Sequence, residues 1–431
     1  MHELQYKQMN FLRKPSLYIP TLYFAEGLPN AVVTLISSIY YKDIGFDNSF
    51  IGAATTFAAL PWMLKFLWAP FVDLYGDKRK WVLVLQMVLA AALMVLAAFT
   101  LMLPSPTFTL GAFLLIALAS ATFDISLDGY YLEILKPDQQ AFYVGWRSAA
   151  FRLAWLFGQG GLVFLAGYLN KEQHYTFDQA FACVFALCSL IFVALTILHF
   201  YAIPHSVNLT RSVDRINIKE FFQISLSYFK QEKIAICVVF ILLFRIGEAL
   251  MLKMATLFLL DTPMKGGLSI STENVGIIYG TVGVMTLVAG GIVGSWYVSK
   301  VGLKKCLLPC AIAQLLAMLG YCWLSWTLPS DNKFACTVAV NCLEQFFYGI
   351  GMSAFLVFIL STVKSQFKAA HYAMATAIMA LGLYLPQAVS GFLCDYLGYK
   401  LFFIVSFCAA IPGIIIIPFL PLQEEGKNAI S

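Results

Sequence analysis

Asp124 and Asp128 stand four residues apart in the stretch Ser120–Leu135, which otherwise reads as a membrane span. A carboxylate placed in hydrocarbon costs about 2.5–3.5 kcal/mol on insertion scales. Four-residue spacing sets both side chains on one helix face, so one reason must serve for two. That reason is the wall of a polar cavity inside a helix bundle, where carboxylates can bind protons.

Other charges interrupt apolar runs in the same manner: Glu26 in YFAEGLP, Arg245 and Glu248 in LFRIGEAL, and Glu344 in NCLEQFFYGIGMSAF. Glu26 and Glu344 join the aspartates as candidate proton-coupling groups, against a plainer reading in which they bond neighbouring helices. Arg245 and Glu248 are three apart and share a face; a mutual structural bridge and a substrate contact both stand. Arg152 lies near mid-bilayer, with Trp155 and Gln159 on its face, and is the expected partner of the aspartates. Arg147 lies shallower. Lys65, in PWMLKFLWAP, is expected to snorkel to the membrane surface, and Glu133 to meet loop cations.

Composition sets the frame. Of 431 residues, 60% are hydrophobic and 12% charged, more apolar surface than a soluble domain can hide. Ten cysteines occur without CxxC pairs or histidines at ligand spacing, so neither a metal nor a cofactor is expected. No phosphate-cradling G-x-x-x-x-G-K-[ST] run is present, which leaves an ion gradient as the energy source. Protons suit buried carboxylates; sodium stays open. The net charge of +5 belongs to loops and implies no nucleic acid.

Hydrophobic periodicity predicts an all-α polytopic membrane protein of twelve transmembrane helices. With the N-terminus inside, 18 Lys and Arg fall in cytoplasmic segments and 5 outside, at Lys42, Lys171, Lys265, Lys333 and Lys400. This asymmetry sets both termini in the cytoplasm. A polar connection over 204–231, amphipathic in its second part, divides the chain into six-helix halves, 1–203 and 232–431. The loops DLYGDKR (Asp73, Gly76, Arg79) and SKVGLKK (Gly302, Lys304) repeat one pattern, a glycine followed by a basic pair, and are read as cytoplasmic gating loops.

That repeated loop resembles the signature of the major facilitator superfamily, whose fold has two six-helix halves. The resemblance implies that spans 1, 4, 7 and 10 line a central cavity, and these are the spans carrying Glu26, Asp124 and Asp128, Arg245 and Glu248, and Glu344. FAEGLP, LPWMLKFLWAP, FDISLDGYYLEIL, FRIGEAL and GIGMSAFLVFIL, in this order, resemble the AmpG-type muropeptide permeases. Relatives of that branch include siderophore importers and acetyl-CoA transporters. The likeness implies a monomeric, non-enzymatic proton symporter in a bacterial inner membrane, importing anhydro-muropeptides for wall recycling; another anionic solute is the alternative. For such a sugar–peptide, Arg152 and Arg245 are expected to receive carboxylates. Glu248, Gln159, Trp155, Tyr23 and Tyr130, with Tyr131, supply further polar and aromatic contacts; packing or lipid contact is the alternative for each aromatic ring.

Overall fold

The computed structural model describes residues 14–69, 72, 77–135, 137–204, 227–329, 331–363 and 368–422. Among the described residues there are helices and turns but no strand, as hydrocarbon demands of backbone that must satisfy its own hydrogen bonds. We number the membrane helices in chain order. The first six are α1 (Pro15–Asp43), α2 (Asn48–Leu64), α3 (Lys78–Met102), α4 (Pro106–Ile134), α5 (Pro137–Leu156, continuing to Glu172) and α6 (Phe177–Ala202). They are followed by α7 (Ile234–Leu260), α8 (Thr272–Val301), α9 (Leu303–Thr327) and α10 (Lys333–Ser361). A last helical run, Lys368–Ile416, breaks at Gly398, where φ is 70°. Only glycine adopts that conformation freely, and the break yields α11 (368–397) and α12 (399–416).

The chain falls into two compact units. Unit 1 comprises Met1–Gly45, Ala54–Val213 and Thr272–Gly276; unit 2 comprises Phe46–Ala53, Asp214–Ser271 and Ile277–Ser431. Within unit 1, α1 packs on α5, and α3 on both α4 and α6; within unit 2, α7 packs on the α11–α12 run and α10 on α8 and α9. Two helices begin away from the bulk of their own length. The first residues of α8 lie in unit 1, where Thr272 Oγ1 donates to Asp43 at 2.7 Å. Those of α2 lie in unit 2, where Asn48 Nδ2 donates to Tyr399 Oη at 3.0 Å and that hydroxyl donates to Asp261 at 2.6 Å.

Local sequence explains the helix ends. Asp77 caps α3 by accepting from the Arg79 N–H at 2.9 Å, and Thr176 with Gln179 forms a capping box at the start of α6. Arg79, read from sequence as part of a gating loop, donates to the carbonyls of Phe200 (2.8 Å) and Ile203 (3.0 Å). It thereby satisfies the last turn of α6, where a cation also meets the negative end of the helix dipole. In the repeat, Gly302 takes a φ of 86° as the turn between α8 and α9, and Lys304 is exposed. Asp73 and Gly76 lie outside the described residues, as do 205–226 of the central connection. Tyr228, just before α7, meets Thr362 Oγ1 at 3.0 Å; burial pushes its phenol above the ordinary range and keeps it neutral.

Among the described residues, three helices carry π-turns: α1 at Val32–Ile36, α5 at Phe157–Leu162 and α8 at Gly276–Gly283. Such turns loosen a regular ladder and often accompany functional sites. The α1–α5 contact is close because a Cβ on Gly27 would come within 2.8 Å of the Phe151 carbonyl. Small residues at helix crossings allow this approach in a membrane, and here it brings Tyr23 and Glu26 of α1 up to the cationic face of α5.

Candidate functional site

In unit 1 the acids and cations form one cluster drawn from four elements. Asp124 of α4 pairs with Lys65, in the 3-10 turn that ends α2. The indole of Trp68 donates to Thr122 Oγ1 at 3.2 Å and fastens that turn to α4. One helical turn along, Asp128 accepts from Arg147 Nη2 at 2.7 Å and from the Tyr23 hydroxyl at 2.9 Å. The Arg147 guanidinium lies over the Tyr23 ring at 4.3 Å and the Tyr131 ring at 5.0 Å, and the two rings meet edge to face. Cation–π contact and a carboxylate thus hold one side chain from three directions. Glu26 completes the cluster: Asp124, Asp128 and Lys65 are its electrostatic neighbours, and its Oε2 is buried without a hydrogen-bond partner.

Two expectations are corrected here. Arg152 is not the partner of the aspartates: its side chain is exposed, and the cations at Asp124 and Asp128 are Lys65 and Arg147. Arg152 lies five residues farther along α5 than Arg147, and five residues is nearly a turn and a half, enough to point it elsewhere. Lys65 does not snorkel outward; its ammonium turns to Asp124, because the helix ahead of it ends at Leu64.

The remaining predicted residues of unit 1 separate. Tyr23 is buried and spent on Asp128 and Arg147. Tyr130, also buried, donates to the Pro204 carbonyl at 3.1 Å, away from the cluster. Neither presents an open ring face to a sugar. Trp155 keeps a buried Nε1–H without a partner, and Gln159 sits half-buried in the π-turn of α5.

Unit 2 holds its charge differently. Arg245 Nη1 meets Glu248 Oε2 at 2.7 Å within α7, and the side chains are each 4% exposed. The same nitrogen donates to Tyr348 Oη at 3.3 Å and approaches Met352 Sδ at 2.9 Å. The bridge is therefore made, and Arg245 Nε and Glu248 Oε1 remain buried without hydrogen-bond partners. Glu344 of α10 accepts from Gln345 Nε2 at 2.7 Å. Among the described residues, no group of His, Cys, Asp and Glu is arranged to hold a metal ion.

A twelve-helix, multi-pass inner-membrane protein with acids and cations gathered inside its bundle is a secondary transporter by class. The chain belongs to the Major Facilitator Superfamily, whose family model matches residues 21–388. It is 26% identical over 94% of its length to the anhydromuropeptide permease of Escherichia coli K12, of which it covers 80%. It is 27% identical over 92% of its length to the putative transporter AmpG 4 of Rickettsia felis, covering 94% of that protein. Its fold is that of the nucleoside transporter NupG (TM-score 0.72, 14% identity, 95% of this chain and 100% of that one). The D-xylose-proton symporter shares it too (TM-score 0.71, 12% identity, 94% and 97%).

Proposed function

We propose that this transporter imports anhydromuropeptides by proton symport. The charge count of the unit 1 cluster carries the coupling: Glu26, Asp124 and Asp128 face Lys65 and Arg147. Fully ionised, the cluster has one negative charge in excess, and in a low-dielectric wall such an excess is costly. An anionic cargo would deepen it unless a proton enters as well. The cargo reading is supported by likeness over 94% of this chain to a protein named for anhydromuropeptides, of which it covers 80%; that class is rich in carboxylates.

Asp128 is the more accessible of the two aspartates, its side chain 44% exposed against 11% for Asp124, and its partner Arg147 is 29% exposed. A cargo carboxylate that takes the guanidinium fork of Arg147 leaves Asp128 with the Tyr23 hydroxyl alone. A proton then neutralises Asp128. Anion and proton enter together, and the net charge of the site stays constant through the cycle. The halves 1–203 and 232–431 act as the two six-helix bundles of a monomer, with both termini in the cytoplasm.

Equilibrium binding of labelled anhydromuropeptide to the purified full chain tests the site. Arg147→Lys, which keeps the charge but loses the fork, should weaken binding at least about tenfold, or about 1.4 kcal/mol, while Arg152→Lys stays within about twofold. The opposite ranking would return the role to Arg152. No saturable binding of labelled anhydromuropeptide, with saturable binding of labelled acetyl-CoA or a ferric siderophore, would overturn the cargo.

A further inference from the structure

Unit 2 contains a line of buried polar groups that the mechanism above leaves unused. Tyr279 of α8 and Tyr321 of α9 meet hydroxyl to hydroxyl at 2.6 Å. Asn341 of α10 donates from Nδ2 to Tyr321 Oη at 3.2 Å. Glu344 lies three residues beyond Asn341, hence on the same face of α10. These four residues are 4%, 0%, 0% and 5% exposed.

Counting donors and acceptors shows what the line lacks. The Tyr321 hydroxyl pairs with Tyr279 and accepts from the Asn341 amide nitrogen, which fixes the amide so that Oδ1 faces away. That oxygen is buried and has no donor. It has room only because residue 283 is glycine: a Cβ there would lie 2.7 Å from it. Buried acceptors are rarely left unmatched. The titratable groups facing Glu344 are Glu248, Tyr279, Tyr321 and Tyr348. No cation is paired with it among the described residues. An ionised carboxylate only accepts hydrogen bonds, whereas the acid donates one. The line is short by one donor, and Glu344 can gain one.

We propose that Glu344 is a second proton-binding site, whose acid form donates to Asn341 Oδ1, with Tyr321 and Tyr279 as positioning residues that hold the amide in the receiving orientation. The site takes a proton and no other ligand. It rests on the symport reading only for its consequence in transport, a proton held in unit 2 besides the one at Asp128.

Infrared difference spectroscopy of the purified full chain reads the acid directly, without cargo. At neutral pH the carbonyl stretch of a protonated carboxylic acid should be present and should lose intensity in Glu344→Gln. In Tyr321→Phe, which leaves Glu344 in place but frees the amide to turn, the same band should move to higher frequency as its hydrogen bond weakens. Asn341→Leu, if it folds, should move it the same way. A spectrum unchanged by Glu344→Gln would overturn the site, and an unmoved band in Tyr321→Phe would overturn the Asn341 acceptor. Failure of anhydromuropeptide binding would sink the cargo reading and leave these bands where they are.

Discussion

In unit 1 charges meet across helices, Lys65 of the α2 end with Asp124 of α4 and Arg147 of α5 with Asp128, whereas in unit 2 Arg245 and Glu248 meet within a single helix. The first arrangement is partly open and unequal in sign; the second is closed, balanced and shut away from solvent. A pair on one helix moves as a unit and cannot be separated by helix motion. A pair joining two helices can be parted by a competitor, and when it parts one carboxylate is left needing a proton. On the mechanism proposed above, the cluster of unit 1 exchanges partners, whereas the pair of unit 2 stays fixed.

The largest effect expected of breaking this contrast is functional. Asp128→Asn keeps the shape of the side chain and its contact with Tyr23 but cannot titrate. Proteoliposomes carrying it should lose accumulation against a gradient, by about a hundredfold or more, an effect within the range of a few kcal/mol, while exchange of labelled anhydromuropeptide down its gradient persists. Retained uphill transport would move the proton to Glu26 or Asp124. Next comes stability. Arg245→Leu strands Glu248 and should cost about 3–5 kcal/mol in unfolding experiments, and the double change Arg245→Leu/Glu248→Leu should recover most of that loss. A double variant as unstable as the single one would show that the pair itself, not the stranded charge, carries the stability. The smallest effect is at the start of α6: Thr176→Ala removes its cap and should cost about 1 kcal/mol with cargo affinity unchanged.

Much of this was legible in the sequence, for reasons tied to particular residues. Hydropathy reveals helices because hydrocarbon leaves the backbone no alternative, and the spacing of Asp124 and Asp128 reveals a shared face. The choice of cation was not legible. Depth along the span favours Arg152, but partner choice depends on azimuth, and the five residues from Arg147 to Arg152 turn the two side chains about 140° apart on a regular helix. The sequence reads Lys65 as a surface anchor, whereas its pairing depends on the end of α2 at Leu64. A signal lies in the imbalance itself: two aspartates on one face call for two cations, and the sequence reading leaves Lys65 and Arg147 without a carboxylate partner. The orphan oxygen of Asn341 has no counterpart in sequence, since it depends on three helices meeting.

Orientation has its own check. In a cysteine-free background, Lys171→Cys should react with a membrane-impermeant thiol reagent from outside the cell and Lys80→Cys should not; the reverse pattern would invert the topology.

The central claim is that cargo and proton arrive together because cargo takes Arg147 from Asp128. Proton uptake on binding tests it most directly, read by a pH indicator in weakly buffered solution as anhydromuropeptide is added to the solubilised protein. The wild-type chain should take up about one proton per cargo bound, and Asp128→Asn none, as linkage between the two ligands requires. Binding without proton uptake in the wild type, or equal uptake in the variant, would contradict the account.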